Sequence, residues 1–414
     1  MKIQIEPSRL QGTLSVPASK SIAHRMLICA GLAEGVSVVE RVSFSKDIEA
    51  TIHAMEALGA SFQIAGSTIT VTGMGNHTAV SEASIPCCES GSTLRFLIPV
   101  AAALGVSATF FGEGRLPQRP ITTYVRELSQ KGIHFDYQNT MPFSIDGTLQ
   151  SGDFYLEGDV SSQYVTGLLF ALPLLPGNSR IILLSPLQSK PYVTLTIACM
   201  KQFGVMVEET ENGYAISGGQ HYTSCRTVVE GDYSQAAFFY VANAIGNAVQ
   251  LENLNPNSVQ GDQKIVAITQ TLCYNKENGL PVQFDLDATD IPDLVPILAV
   301  LGTFGTHPSR ITGAHRLKIK ESDRLAAISE LLNRLGGKVT ANEDGLEIEP
   351  VPMLHGGTVD SCGDHRIAMC AAIAATRCTH PVIILGGESV EKSYPQFYED
   401  YNALGGNAHV VVLE

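Results

Sequence analysis

Basic side chains recur in short polar motifs along the whole chain. The basic residues of these motifs are Lys20, Arg25, Arg95, Arg119, Lys190, Lys320, Arg324, Arg366 and Lys392. If they converge on one site they repel one another, because two like charges about 4 Å apart cost about 4 kcal/mol at an effective dielectric constant of about 20. Multiply anionic ligands would remove that repulsion. Phosphates and carboxylates fit, since arginine holds either group with paired hydrogen bonds.

These motifs occupy equivalent places in an internal repeat. Glycines that end helix-like segments are spaced by 73, 72, 132 and 69 residues, at Gly59, Gly132, Gly204, Gly336 and Gly405. Glycine suits the position after a helix because it takes a left-handed conformation without steric cost. The gap of 132 residues indicates one more unit, whose strands we expect near residues 272–283 without a capping glycine. Six units therefore fill the chain of 414 residues.

Each unit is predicted to run helix, strand, helix, strand, strand. The first helices are apolar on nearly all sides and should be buried. They are expected to begin near Ser21, Ser92, Ser162, Ser234, Asp293 and Asp364. The second helices are predicted to begin near Ser45, Arg119, Ser189, Gln260, Lys320 and Lys392. The amino end of a helix carries unpaired N–H groups and a partial positive charge, so these starts favour anions.

The six units suit two α/β domains of three units each. We place one domain at residues 19–230 and a second, discontinuous domain at residues 1–18 and 231–414. Residues 2–16 precede the first helix, so they are expected to complete the last unit. The chain would then cross between the domains twice, and the two crossings would act as a hinge.

The composition excludes several classes of function. Hydrophobic residues make up 44% of the chain and the formal net charge is −14, which predicts a globular protein that does not bind nucleic acid. A local cleft can still hold a small anion. Nine cysteines without a Cys-x-x-Cys pair, and no histidine pair at metal spacing, predict a reduced cytoplasmic chain without a metal site. No apolar run approaches the length of a membrane span, and the amino terminus lacks a signal-like core.

Eleven motifs in order give the chain a specific resemblance. They read PASKSIAHR, ESGSTLRFL, LPQRPI, DVSSQYVTGLL, SKPYV, EGDYSQAAFF, QGD, DIPD, IKESDRL, GDHRIAM and EKSYPQF, from about Ser19 to Phe397. This series resembles the family of 5-enolpyruvylshikimate-3-phosphate synthases. The resemblance implies two inside-out α/β domains, each of three βαβαββ repeats with buried helices, joined by a two-crossing hinge. It implies transfer of the enolpyruvyl group of phosphoenolpyruvate to the 5-hydroxyl of shikimate 3-phosphate by addition and elimination, with release of phosphate and no cofactor or metal.

The resemblance also implies roles for individual residues. Those expected to hold shikimate 3-phosphate are Lys20, Ser21, Arg25, Ser161, Ser162, Gln163, Ser189, Tyr192, Asp293 and Lys320. Those expected to hold phosphoenolpyruvate are Lys20, Gly91, Arg119, Gln163, Arg324, Arg366 and Lys392. The domain at residues 19–230 would be mainly the shikimate 3-phosphate side, and the discontinuous domain mainly the phosphoenolpyruvate side. The chemistry needs two proton transfers, for which we assign Asp293 to the hydroxyl, Glu321 to C3 and Lys20 as a relay.

Several residues depart from the family pattern. Glu89, Ser92, Phe96 and Arg316 stand where many members carry other residues. Gly91, in place of alanine, leaves room in the phosphoenolpyruvate pocket, so we expect glyphosate to compete with that substrate. The resemblance further predicts a monomer that acts on small molecules.

Two alternatives stay open at this point. The first is the sister enzyme UDP-N-acetylglucosamine enolpyruvyl transferase, which relies on a cysteine in a mobile loop; residues 114–118 contain none. The second is a non-catalytic repeat protein that binds partners through aromatic loops; the chain has no Trp and presents charge instead.

Overall fold

The chain divides into two compact units in a computed structural model that describes residues 1–75 and 77–411. Residues Ala18–Glu230 form the central unit, whereas Met1–Pro17 and Gly231–Glu414 form the terminal unit. The backbone therefore passes from one unit to the other twice, after Pro17 and after Glu230. Among the described residues, no helix is both long enough and apolar enough to cross a membrane.

Short strands and helices alternate along the chain. The strands are β1 (Lys2–Glu6), β2 (Gln11–Ser15), β3 (Glu34–Glu40), β4 (Ser61–Ala65), β5 (Thr68–Met74), β6 (Glu82–Pro86), β7 (Ser107–Phe111), β8 (Ile133–Asp136), β9 (Phe143–Gly147), β10 (Asp153–Leu156), β11 (Ser179–Leu183), β12 (Glu208–Thr210), β13 (Gly213–Ile216), β14 (Arg226–Val228), β15 (Ala248–Glu252), β16 (Asp285–Asp287), β17 (Ser309–Thr312), β18 (Lys338–Ala341), β19 (Leu346–Glu349), β20 (Gly357–Asp360), β21 (Val382–Leu385) and β22 (Asn407–Val410). The helices are α1 (Lys20–Leu32), α2 (Lys46–Ala57), α3 (Gly91–Leu104), α4 (Thr122–Ser129), α5 (Ser162–Ala171), α6 (Lys190–Gln202), α7 (Tyr233–Ala244), α8 (Lys264–Glu277), α9 (Val295–Thr303), α10 (Arg324–Arg334), α11 (His365–Ala375) and α12 (Phe397–Ala403).

The central unit repeats one sheet pattern three times. Its four-stranded sheets have the orders β14-β3-β5-β4, β6-β7-β9-β8 and β10-β11-β13-β12. In each sheet the first two strands are parallel and the other pairs are antiparallel. A parallel pair needs a crossover, which α3 and α5 supply within their own repeats. The strand β14 comes from the end of the unit and fills the first place of the first sheet.

The terminal unit follows the same pattern with one reduction. Two of its sheets have four strands, in the orders β20-β21-β1-β22 and β16-β17-β19-β18, whereas β15 pairs with β2 alone. The strand β1 lies between β21 and β22 and is antiparallel to both, so residues 2–6 complete the last repeat as predicted. The prediction is wrong for residues 11–15, because β2 pairs with β15, in the first repeat of this unit.

The reduced repeat corrects one expectation from the sequence. No second strand follows α8 within its own repeat, because the next strand, β16, pairs with β17 of the following one. The helix does have a glycine after its end, since Gly279 takes a φ of 66°. The sequence pattern missed this glycine because the strand that normally follows it is absent there.

Buried helices form the core of each unit. In the central unit α1, α3 and α5 carry almost only buried residues and pack within one apolar cluster. In the terminal unit α7, α9 and α11 do the same. These helices are apolar on nearly all sides, as their sequences predicted, because sheets and sister helices cover them.

Four of the predicted second-helix starts are wrong. Helix α8 begins four residues after Gln260, and the helices α4, α10 and α12 begin three, four and five residues after the cations Arg119, Lys320 and Lys392, respectively. Each of these cations instead lies at the end of a short 3-10 segment, formed by Leu116–Gln118, His315–Ile319 and Gly387–Lys392. A tight turn and a helix start attract the same residue types, so the sequence could not separate them. Helix α6 does begin at the predicted place, with Ser189 before Lys190.

Candidate active site

The start of α1 carries a lysine held by a carboxylate. Ser19 caps the helix, because its hydroxyl accepts a hydrogen bond from the N–H of Ile22. Lys20 Nζ donates to Asp47 Oδ2 of α2 at 2.7 Å, and the two side chains are only 20% and 15% exposed. The pair fixes a positive charge at the amino end of a buried helix.

Arg25, one turn further along α1, is a buried cation surrounded by neutral groups. Its Nε donates to Thr196 Oγ1 at 2.8 Å, its Nη1 to the carbonyl of Ser21 at 2.7 Å and its Nη2 to the carbonyl of Tyr192 at 3.1 Å. The Phe96 ring lies 5.2 Å from the guanidinium carbon. Burial lowers the pKa of Arg25 to about 10. Within the described part of the chain no carboxylate pairs with it, so an incoming anion would offset the buried charge.

The start of α3 lies under a second arginine. An added Cβ on Gly91 would lie 2.6 Å from Arg119 Cζ, so the guanidinium covers the bare Cα of this glycine. Arg119 is itself 8% exposed. Any side chain at position 91 would therefore displace the guanidinium from this place.

Gln163 connects the starts of α3 and α5. Its Oε1 accepts from Arg95 Nη1 at 2.8 Å and its Nε2 donates to Ser92 Oγ at 3.0 Å. The backbone N–H of Gln163 donates to Ser161 Oγ at 3.3 Å, and the neighbouring Ser162 is buried. The serine and glutamine residues predicted as ligands therefore lie at one helix start, beside a second buried guanidinium.

Ser189 and Tyr192 lie at the start of α6. Ser189 is buried and takes the left-handed conformation, with φ 56° and ψ 38°. A residue other than glycine adopts this conformation only at an energetic cost. Such strained residues are frequent at binding sites. The carbonyl of Tyr192 accepts from Arg25, as described above, so α6 contributes to the same cluster as α1.

The terminal unit gathers carboxylates around Arg324. This residue is 2% exposed. Its Nε donates to Asp364 Oδ2 at 2.8 Å, its Nη1 to Asp293 Oδ1 at 2.9 Å and its Nη2 to Glu321 Oε2 at 2.8 Å. Nη2 also donates to Asp364 Oδ1 at 3.4 Å, so Asp364 takes two nitrogens of the guanidinium. The same guanidinium fixes the positions of two predicted catalytic residues, Asp293 and Glu321.

Arg366 completes this acidic and basic cluster. Its Nη2 donates to Asp293 Oδ2 at 3.0 Å and its Nη1 to the carbonyl of the same residue at 3.1 Å. Burial alone would raise the pKa of Asp293, but Arg366, Lys320 and Arg324 together lower it below its ordinary value. The carboxyl of Asp293 is therefore ionised and, without a ligand, only weakly basic.

Two further predicted residues lie next to these groups. Lys392 Nζ donates to the carbonyl of Gly363 at 2.8 Å, one residue before Asp364. Lys320 follows the 3-10 segment that ends at Ile319, and its positive charge helps to lower the pKa of Asp293. Among the residues that the structure describes, no group of three or more His, Cys, Asp or Glu side chains could hold a metal ion.

Of the four unusual residues named in the sequence analysis, Phe96 and Arg316 are buried, whereas Glu89 and Ser92 are half-buried. Phe96 packs under Arg25 and edge-on to Phe170, with ring centroids 5.7 Å apart. Arg316 donates from Nη2 to the carbonyl of Thr289 at 2.9 Å. The carboxylate of Glu89 packs against Gly114, in the loop that leads to Arg119.

Asp262 is a buried carboxyl to which sequence reasoning gave no role, although it belongs to the QGD motif. The hydroxyl of Ser234 donates to its Oδ2, while Oδ1 is buried with no partner in the described part of the chain. Burial and the nearby Asp293 raise the pKa of Asp262 to about 7. The QGD motif drew attention to this segment in the sequence. The burial of Oδ1 could not be predicted, because it depends on packing between α7 and the 3-10 segment Gly261–Gln263.

Replacing Asp262 by asparagine is expected to stabilise the protein in a pH-dependent way. The folded form keeps a proton that the unfolded chain, with an ordinary pKa of 3.8, releases, so the free energy of unfolding falls as the pH rises from 3.8 to about 7. The slope for one group is about 1.4 kcal/mol per pH unit. Asp262→Asn should remove this slope, and urea unfolding at pH 5 and pH 7 measures it. Asp285→Asn, at an exposed carboxyl, is the control, and an equal gain there would contradict the assignment.

Known proteins match this chain over nearly its whole length. The family model described as EPSP synthase (3-phosphoshikimate 1-carboxyvinyltransferase) matches residues 5–401. A 3-phosphoshikimate 1-carboxyvinyltransferase of Clostridium kluyveri is 43% identical over 415 residues, which cover 98% of this chain and 97% of that relative. Another, from Clostridium novyi, is 43% identical over 428 residues with the same coverage of 98% and 97%. A solved EPSP synthase from Acinetobacter baumannii has a TM-score of 0.80 at 25% identity and covers 100% of both chains.

Proposed function

This chain belongs to the EPSP synthase family, and we propose that it transfers the enolpyruvyl group of phosphoenolpyruvate to the 5-hydroxyl of shikimate 3-phosphate. Phosphate is the second product. The family match and the names of the full-length relatives support this reaction over transfer to a UDP-amino sugar.

The observation that carries the proposal is a pair of buried arginines in the central unit, Arg25 and Arg95, whose contacts are with uncharged groups. Arg25 and Arg95 are each 3% exposed, and each contacts uncharged oxygens, from hydroxyl, amide or carbonyl groups, together with an aromatic ring. A buried charge is costly unless an opposite charge compensates it. Anionic substrates supply that compensation, and both proposed substrates carry phosphate and carboxylate groups.

The proposed binding residues follow the resemblance and the two clusters. We assign shikimate 3-phosphate to Lys20, Ser21, Arg25, Ser161, Ser162, Gln163, Ser189, Tyr192, Asp293 and Lys320. We assign phosphoenolpyruvate to Lys20, Gly91, Arg119, Gln163, Arg324, Arg366 and Lys392. The hydrogen bonds around Arg25 and Gln163 in the central unit, and around Arg324 in the terminal unit, support these sets.

The chemistry needs a base at the 5-hydroxyl and an acid at C3 of phosphoenolpyruvate. The hydroxyl oxygen forms a bond to C2 as its proton leaves, C3 gains a proton, and the C2–O bond to phosphate then breaks while C3 loses a proton. We assign Asp293 to the hydroxyl and Glu321 to C3, with Lys20 as a charge and proton partner. Substrate anions that take hydrogen bonds from Arg324 and Arg366 would raise the pKa of Asp293, so its basicity would appear when both substrates are bound.

A substrate comparison tests the proposed function. The purified chain is mixed with phosphoenolpyruvate and either shikimate 3-phosphate or UDP-N-acetylglucosamine, and phosphate release is followed. We expect release only with shikimate 3-phosphate. Release with the nucleotide sugar alone would favour the sister enzyme, and release with neither would favour a binding protein. The monomeric state stays a prediction from the sequence, which sedimentation would check.

Glyphosate is expected to compete with phosphoenolpyruvate, and Gly91→Ala should weaken the binding of both ligands. Because an added Cβ would lie 2.6 Å from Arg119 Cζ, the guanidinium must move away from its present place. Loss of one charge-assisted hydrogen bond should raise the KM for phosphoenolpyruvate and the glyphosate inhibition constant about tenfold each. Steady-state kinetics at varied phosphoenolpyruvate measures both constants.

A glycine in open space provides the control for that substitution. An added Cβ on Gly66 meets nothing within 4 Å, so Gly66→Ala should leave both constants unchanged even if its φ of 61° costs some stability. Absence of competition at millimolar glyphosate, or unchanged constants in Gly91→Ala, would refute the assignment of position 91.

A further inference from the structure

Side-chain hydrogen bonds link the three buried helices of the central unit into a closed ring. The ring runs from α1 through a threonine of α2 to α3, from α3 directly to α5, and from α5 through a threonine of α6 back to α1. We propose that these two threonines, Thr51 and Thr196, are positioning residues that hold the substrate-binding starts of α1, α3 and α5 in place. The inference rests on the proposed function and names residues that have no contact role in it.

Thr51 joins α1 to α3. Its Oγ1 lies 2.7 Å from His24 Nδ1 and 2.7 Å from Thr93 Oγ1, and the Thr93 hydroxyl donates to Ser90 Oγ at 2.8 Å. Ser90 caps α3 immediately before Gly91. A shift of Thr51 would therefore reach the glycine turn under Arg119.

Counting hydrogens fixes the direction of this chain. A threonine hydroxyl has one hydrogen, and that of Thr93 goes to Ser90, so Thr51 must donate to Thr93 and accept from His24 Nδ1. His24 is then the neutral form with its proton on Nδ1, and its Nε2 is buried with no partner in the described part of the chain. Burial, and then Lys20 and Arg25, lower the pKa of His24, which agrees with a neutral ring. The hydroxyls of Thr51 and Thr93 thus each donate one hydrogen bond and accept one.

Thr196 joins α1 to α5. Its hydroxyl donates to the carbonyl of Tyr192 at 2.9 Å, so it accepts from Arg25 Nε at 2.8 Å and from the Thr166 hydroxyl at 3.0 Å. Thr166 and Thr196 are fully buried. Thr196 is the acceptor for Arg25 Nε and so sets the orientation of the guanidinium plane toward its remaining hydrogens.

The third side of the ring needs no bridging helix. Arg95 and Ser92 of α3 both bond to Gln163 of α5, at 2.8 and 3.0 Å. Two members of the ring, Arg25 on α1 and Gln163 on α5, are assigned to the substrates. On α3 the hydrogen bonds reach Ser90, which precedes the assigned Gly91. Catalytic groups need their supporting contacts fixed to a fraction of an ångström, and buried hydrogen-bonded networks help to provide such rigidity.

One fully buried threonine outside the ring bonds within its own helix. In the terminal unit the hydroxyl of Thr303 donates to the carbonyl of Ala299 on its own helix at 2.9 Å. Thr303 is fully buried, as Thr51 and Thr196 are. It therefore offers a matched control for removing a buried hydroxyl that joins no second helix.

The test compares valine and serine at the two positions in the complete chain. Valine keeps the shape of threonine but lacks the hydroxyl, whereas serine keeps it. We expect Thr196→Val to raise the KM for shikimate 3-phosphate about tenfold and Thr51→Val to raise the KM for phosphoenolpyruvate by a similar factor, each with the other KM within about twofold. Serine at either position should restore the wild-type KM within about twofold. Thr303→Val should change neither KM.

The outcomes separate a positioning role from a purely structural one. Lower melting temperatures with unchanged KM values in both valine variants would overturn the inference, and so would an equal KM shift in Thr303→Val. If a valine variant does not fold, cysteine at the same position, a much weaker hydrogen-bonding group of similar size, carries the same expectation. The wild-type chain is assayed alongside, so absence of transfer there would overturn the proposed function, whereas normal transfer with unchanged variants would overturn only the ring.

Discussion

Replacing Lys20 by methionine is expected to lower kcat about a thousandfold, because a preorganised charge in a site of developing negative charge contributes two to three orders of magnitude. Asp47 holds the Lys20 ammonium at 2.7 Å, at the start of a buried helix. Methionine keeps most of the aliphatic length of lysine but supplies neither charge nor proton. The melting temperature should change little, since a partly exposed ion pair contributes about 1 kcal/mol or less. Phosphate release and thermal unfolding measure the two effects.

A lysine outside the proposed site provides the control for Lys20→Met. Lys338 forms a loose pair with Glu349 at 3.8 Å, and its side chain is 66% exposed. Lys338→Met should leave kcat and the melting temperature close to the wild-type values. If Lys20→Met instead lost activity only in proportion to a loss of folded protein, the lysine would be a structural residue and its catalytic assignment would be wrong.

The sequence predicted the repeated helices because their signal is local. An apolar helix with a polar first turn and a glycine after the following helix recurs in register, and each feature follows from the backbone chemistry of that segment alone. The same local patterns indicated Lys20, Gly91, Gln163 and Arg366. The local pattern gave a wrong prediction where the repeat is incomplete, between α8 and β16. It predicted strands there, whereas the sheet of this repeat is formed by β2 and β15, which are far apart in sequence.

Partners that come from distant segments could not be predicted in this way. Taken alone, the motif IKESDR is compatible with an exposed charged turn. In the structure Arg324 is buried and bonds to Asp293 and Asp364, each more than thirty residues away in sequence. Thr196 lies 171 residues from Arg25. The polarity of threonine is compatible with surface, cap or core, so its role depends on what the tertiary fold brings within hydrogen-bond reach.

The largest expected effect on stability comes from replacing Asp364 by asparagine. This carboxylate is fully buried and accepts hydrogen bonds from Arg324 Nε at 2.8 Å, from the hydroxyl of Ser322 at 3.0 Å and from the backbone N–H of Arg366 at 3.0 Å. Asparagine has nearly the same shape but no charge, so part of the positive charge of Arg324 is left buried without compensation. Breaking a buried ion pair in this way costs about 3 kcal/mol. Urea unfolding at pH 7 measures the loss.

The pH dependence follows from the same contacts. Burial opposes ionisation of Asp364, but Arg324 and His365 lower its pKa below the ordinary 3.8. Its stabilising contribution is therefore complete above about pH 4 and lost as the pH falls below that value. Asp364→Asn should show a smaller loss of stability than the wild type over that acid range.

Asp323 distinguishes the ion pair from helix capping. It caps α10 as Asp364 caps α11, since its side chain accepts from the N–H of Ala326 at 3.1 Å, but it is only half-buried and bonds to no arginine. Asparagine caps a helix about as well as aspartate, so Asp323→Asn should change the free energy of unfolding by no more than about 0.5 kcal/mol. The double variant Asp364→Asn with Arg324→Met should lose less free energy of unfolding than the sum of the two single variants. Each single variant leaves one charge of this ion pair buried without its partner, whereas the double variant removes both charges. Equal losses in Asp364→Asn and Asp323→Asn, or strict additivity in the double variant, would show that capping and not the buried ion pair stabilises this part of the terminal unit.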